Sequence, residues 1–121
     1  MQIVKMQLKE KTVKFLMNPK SNNLVLKVEG TYSLPKTAEK AFSAVANIVV
    51  TVKDATEENN LISESRIVYA LKISPTLPYN SEVTSKELTE YLQPLLYASF
   101  KNLFQEIGLP EVPIEKFQYE S

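Results

Sequence analysis

One stretch of this 121-residue chain, Thr84 to Gly108 (TSKELTEYLQPLLYASFKNLFQEIG), carries the period of a long helix. Everything before it alternates as strands do. Thr84 followed by Glu87 has the form of a capping box, in which the hydroxyl takes an orphan backbone N–H and the carboxylate reaches back. Gly108 and then Pro110 form a stop signal, because Gly accepts the left-handed geometry after a helix and Pro cannot continue it. The apolar residues between these signals, from Leu88 to Ile107, sweep an arc of roughly 180°, whereas one sheet needs about 100°. The surplus, with Tyr97, Phe100 and Phe104 as its large members, is expected to meet a second subunit or to stand as a broad core face with exposed aromatics. Pro94 removes an N–H from the carbonyl of Glu90, so a kink or two abutting segments is expected there.

Four strands precede the helix. Val4, Met6 and Leu8 share one parity, but Val13, Phe15 and Met17 share the other. A strand that changes phase exposes its wrong face unless it is bulged or bent, so a bend is expected at Lys9 to Thr12. Residues 18–23 (NPKSNN) read as a turn. Strand two runs from about Asn23 to Leu34 and is interrupted by Gly30. Strand three, Ala41 to Lys53, is apolar on both parities, as a central strand is. Residues 54–60 (DATEENN) form a polar loop, and strand four spans Leu61 to Ser74. A proline-containing linker leads into the helix, and the tail after Gly108 reads as extended. Strands joined by hairpin-length loops and followed by a helix define one α+β domain over residues 1–121.

Composition removes several kinds of chemistry. The chain has no Cys and no His, so it lacks disulfides, thiolates and the commonest general base and zinc ligand. Its two glycines cannot build a phosphate-cradling loop, and no motif is present that would activate a serine. The carboxylate pairs Glu57–Glu58 and Glu87/Glu90 fall in a polar loop and on a wet helix strip, where nothing separates their pKa values. No enzyme activity, cofactor or metal is therefore expected. No apolar run is long enough to span a membrane, and the N-terminus has no signal-like block, so the expected location is cytoplasmic.

Net charge is zero but unevenly spread. Residues 1–53 carry nine Lys against three Glu, and residues 54–121 carry four Lys and one Arg against eleven acids, giving +6 and −6. These halves are expected to pair across strands of one sheet rather than to form a nucleic-acid surface, since no basic–aromatic motif accompanies the lysines.

Two stretches carry a family resemblance. Residues 6–19 (MQLKEKTVKFLMNP) resemble the bent first strand of the SecB-like export chaperones, with its apolar-x-Phe ending before a proline turn. Residues 92–110 (LQPLLYASFKNLFQEIGLP) resemble that family's main helix with its internal Pro, and Pro113 to Phe117 is similar to the loop after it. The match is closer still to a small uncharacterised family of the same fold that lacks the second C-terminal helix. The resemblance implies a four-stranded antiparallel sheet with one main helix, kinked near Pro94, packed on one face. It implies a dimer or tetramer that binds unfolded polypeptide in apolar grooves, or alternatively a structural or regulatory subunit with one specific protein partner. Candidate groove residues are Tyr32, Phe42, Leu77, Tyr79 and Val112, which lie at strand or loop ends near the prolines and are otherwise ordinary core or single exposed apolars. The chain departs from the export chaperone in being neutral rather than acidic and is expected to lack its second helix, so surface beside the main helix and Leu109 to Phe117 is expected to be open.

Overall fold

The computed structural model describes residues 1–17, 24–54, 61–106 and 118–120. The elements are β1 (Gln2–Phe15), β2 (Leu24–Tyr32), β3 (Phe42–Asp54), β4 (Leu61–Ser74), α1 (Ser81–Glu106) and β5 (Gln118–Glu120). The five strands form one sheet in the order β1-β4-β3-β2-β5, and the long helix α1 lies between β4 and β5 in the chain. The first four strands pair antiparallel. The three residues of β5 add a short parallel strand along Glu29–Thr31, beyond the four that the alternation predicts. The turn at 18–23, the loop at 55–60 and the helix stop at Gly108 lie outside the described residues.

Period-two alternation sorts the sheet into two faces. On the inner face, Leu26, Val28 and Tyr32 of β2 stand beside Val52, Val50 and Ala46 of β3. Ile48 and Ala44 of β3 in turn stand beside Ile67 and Leu71 of β4. All of these are buried, and they pack with Leu88, Leu92, Leu96 and Phe100 of α1 into one core. Burying each such Leu or Ile contributes about 1.5–3 kcal/mol against leaving it wet.

The phase change in β1 is resolved by two register shifts, one between Ile3 and Lys5 and one between Leu8 and Glu10. Each inserts an extra residue, Val4 or Lys9, and turns the strand over. Ile3, Met6, Leu8, Lys11, Val13 and Phe15 consequently all stand on the inner side, opposite Ile73, Leu71, Tyr69, Ile67, Ser65 and Ser63. The second shift falls at the residue where the alternation predicts the bend. The first is not apparent from the alternation, because Val4 is apolar like its neighbours of the same parity.

The helix begins one turn earlier than the Thr84–Glu87 box predicts. Asn80 caps it: its side-chain oxygen accepts from the Val83 N–H at 3.1 Å and its carbonyl accepts from the Thr84 N–H at 3.0 Å. The Thr84 hydroxyl donates back to the Asn80 carbonyl at 2.9 Å, so it does not cap. Glu87 is instead drawn to the backbone nitrogen of Met1, 3.1 Å away. The helix runs uninterrupted through Pro94 as one segment. Pro94 and Glu90 are both exposed, so the carbonyl that loses its N–H partner lies on the wet side.

Candidate functional site

Three of the five groove candidates gather at one loop cluster. The Tyr79 hydroxyl donates to the Pro35 carbonyl at 2.7 Å, tying the linker before α1 to the loop after β2. Phe42, at the start of β3, meets the Tyr79 ring edge-on, with centroids 5.5 Å apart and planes at 75°. Burial pushes the Tyr79 hydroxyl above its ordinary pKa, so it stays a neutral donor. Leu77 is not held in this way and is 59% exposed. Between these loops lies a cleft of about 630 Å³ lined by Thr37 to Lys40 on one side and Leu77 to Tyr79 on the other. It has an apolar wall and a polar wall, which suits a side chain of an extended peptide.

Tyr32 does not join this cluster. It is 6% exposed on the inner face, and its hydroxyl lies 3.0 Å from that of Thr89. The alternation that places Leu26 and Val28 inside also places Tyr32 inside, so it serves the core rather than a groove. Val112 lies outside the described residues.

A second surface runs between β1 and α1. Strand and helix are tied at two points. The Met1 nitrogen reaches Glu87 and the Thr76 hydroxyl at one end. At the other, the Lys11 ammonium donates to the Ser99 hydroxyl at 3.2 Å and sits 5.9 Å from the centre of the Phe100 ring. Glu87, Tyr91, Leu95 and Ser99 recur every four residues, so one helix stripe faces this strand. Between the ties the inner side of β1 presents Met6 and Leu8, and the helix stripe presents Tyr91 and Leu95. Leu8 is 50% exposed and Leu95 is 44% exposed. At its far end Phe15 of β1, and Leu16 and Met17 just beyond the strand, are exposed as well. The outcome is an open apolar trough along an edge strand whose outer hydrogen-bonding side faces no other strand among the described residues.

The aromatics expected at an oligomer interface are differently placed. Phe100 is 1% exposed within its own chain, because it falls on the buried stripe with Leu88, Leu92 and Leu96. Tyr97 is half-buried, with the Lys101 ammonium 6.0 Å from its ring centre. The side chain of Phe104 lies outside the described residues. The trough residues Leu8, Tyr91 and Leu95 are not singled out by sequence. Leu8 carries the pattern of any half-buried strand, and only the strand order shows that its inner side is left uncovered.

Among the described residues no cluster of three His, Cys, Asp or Glu could hold a metal, and no helix is long and apolar enough to cross a membrane. The architecture is that of the SecB-like α+β fold: an antiparallel four-stranded sheet with one long C-terminal helix on one face. A SecB-like chaperone of Mycobacterium tuberculosis, solved in complex with a ChAD peptide from an antitoxin, superposes with a TM-score of 0.62 at 17% sequence identity. The match covers 99% of this chain and 92% of that one. No family model matches the sequence, and no curated protein matches it.

Proposed function

We propose that this chain is a protein-binding module that holds extended, unfolded polypeptide and works as a homo-oligomer. The observation that carries this reading is the row of exposed apolar side chains along β1 and the facing stripe of α1. A contiguous apolar surface beside an open strand edge is what an extended chain needs: side chains enter the trough while the backbone pairs with the edge. The cleft at Leu77 offers a second foothold. The peptide-bound state of the structurally similar chaperone supports the same use of the fold. Burying even about 300 Å² of apolar surface gives several kcal/mol at roughly 25 cal/mol per Å², and ordering the peptide removes much of it. A short peptide is therefore expected to bind at micromolar strength or weaker, and a long client more tightly through several subunits.

The test is suppression of aggregation of a reduced, unfolded model protein at stoichiometric ratio. The wild type should slow aggregation, and Leu8→Ser, Leu95→Ser and Leu77→Ser should each weaken the effect while leaving the chain folded. Failure of the wild type to slow aggregation sinks the proposal. The free edge of β1 also favours a second reading, in which a partner copy or one specific protein fills the trough and no general client binds. One stoichiometric partner recovered with the wild type, together with no effect on aggregation, selects that reading.

A further inference from the structure

The outer face of the sheet is uneven in charge. Toward the end where Lys14, Glu64 and Lys27 stand, opposite charges interleave: Lys14 is the cross-strand partner of Glu64, and Lys27 pairs with Glu29 at 3.2 Å. A shallow hollow there is lined by Glu10, Lys14, Glu64 and Arg66, two acids and two bases. This is the pairing of basic and acidic halves that the charge distribution predicts. At the other end it fails. Lys5 stands directly opposite Lys72, an arrangement of like charges that costs stability. The second register shift of β1 adds Lys9 to the same side. The three ammonium groups line a dish of about 380 Å³, with Gln7, Val45 and Ala70 among its other walls and no carboxylate. Among the described residues no carboxylate forms an ion pair with any of the three.

We infer that this dish on the outer sheet face docks an acidic, extended segment of another protein, with its carboxylates on Lys5, Lys9 and Lys72 and an apolar side chain on Val45 and Ala70. Charge complementarity favours an anionic occupant, since among the described residues no carboxylate offsets the three ammonium groups. The apolar floor favours a peptide over a nucleic acid. Among the described residues the outer face carries no aromatic side chain on which a base could stack. The surface lies on the opposite side of the sheet from the trough of β1 and α1, so one molecule could hold both partners at once.

Fluorescence anisotropy with a labelled peptide alternating glutamate with leucine tests the inference. The wild type should bind it saturably, and the same peptide with glutamine for glutamate should not bind. Lys5→Gln combined with Lys72→Gln should weaken binding by about tenfold, as loss of two charge-assisted contacts implies. Lys14→Gln combined with Lys27→Gln removes the same charge from the mixed end and should leave binding close to that of the wild type. A thermal midpoint for the Lys5/Lys72 variant at or above that of the wild type shows that the fold is kept, because a like-charge pair has been relieved. Aggregation suppression should be unchanged in that variant, which separates this surface from the apolar one. The inference is overturned if the acidic peptide does not bind, or if both double variants lose affinity equally. It is also overturned if a single-stranded oligonucleotide of equal charge binds as tightly and loses as much at Lys5 and Lys72. Dissociation of an oligomer by the Lys5/Lys72 variant would assign the face to a second copy and overturn it too.

Discussion

Tyr32 carries a hydroxyl into the core and meets Thr89 there. The Thr89 hydroxyl donates to the Ser85 carbonyl at 3.0 Å, so the remaining bond must run from Tyr32 as donor to Thr89 as acceptor. Tyr32→Phe removes that donor and keeps the packing, and a loss of about 1 kcal/mol in urea unfolding is expected. Ser63 and Ser65 are the opposite case: among the described residues their buried hydroxyls have no hydrogen-bond partner. Ser65→Ala removes an unsatisfied group and should leave stability unchanged or raise it by about 1 kcal/mol in the same measurement. Tyr69, half-buried between Leu8 and Ala46, has its pKa raised above 10.0 by burial. The folded state therefore holds the neutral phenol more firmly than the unfolded chain does. That stabilisation is complete below pH 10.0 and is lost as pH rises through the folded value. Tyr69→Phe should flatten the alkaline limb of a stability-against-pH profile.

Bulges decide what β1 presents. Deleting Lys9 removes the extra residue, so Met6, Leu8, Lys11, Val13 and Phe15 fall on one parity and keep their inner places and their β4 partners without a bulge. The thermal midpoint of the deletion variant, like that of Lys9→Gln, is expected to stay near that of the wild type, and a large fall on deletion alone would show that the bulge itself holds the strand. The same strand shows how far sequence reasoning reaches. The parity change from Leu8 to Val13 is a direct record of backbone geometry, so the shift at Lys9 can be read from residues alone. The shift at Val4 leaves no such record. Strand limits followed the alternation closely, and Leu61 to Ser74 is reproduced as written. The helix start did not follow, because Asn80 and Thr84 are both good cap residues and only the bond from Val83 distinguishes them. The loop cluster of Phe42, Leu77 and Tyr79 could be anticipated from its nearness to prolines. The trough could not, since exposure of Leu8 depends on which strand ends at the edge.

At the scale of the molecule the sheet has two unequal sides. β5 shields Glu29–Thr31 of β2, whereas the outer side of β1 pairs with no described strand. An apolar strip beside an unpaired edge favours association, and light scattering is expected to give a mass above the 13.7 kDa of one chain. Leu8→Lys should shift that mass toward the monomer, and a wild-type monomer at tens of micromolar would remove the argument. The strand order also has a consequence in time. β1 is made first, yet among the described residues the strand it pairs with is β4: Phe15 meets Ser63, and Gln2 meets Ser74. On a ribosome adding roughly 5–20 residues per second, the strand waits several seconds for β2 and β3 to be finished and β4 to arrive. Throughout that wait Met6, Leu8, Val13 and Phe15 are an alternating apolar ribbon with nothing to pair with. Each new copy of a protein proposed to shelter unfinished chains thus passes through its own synthesis as one of them.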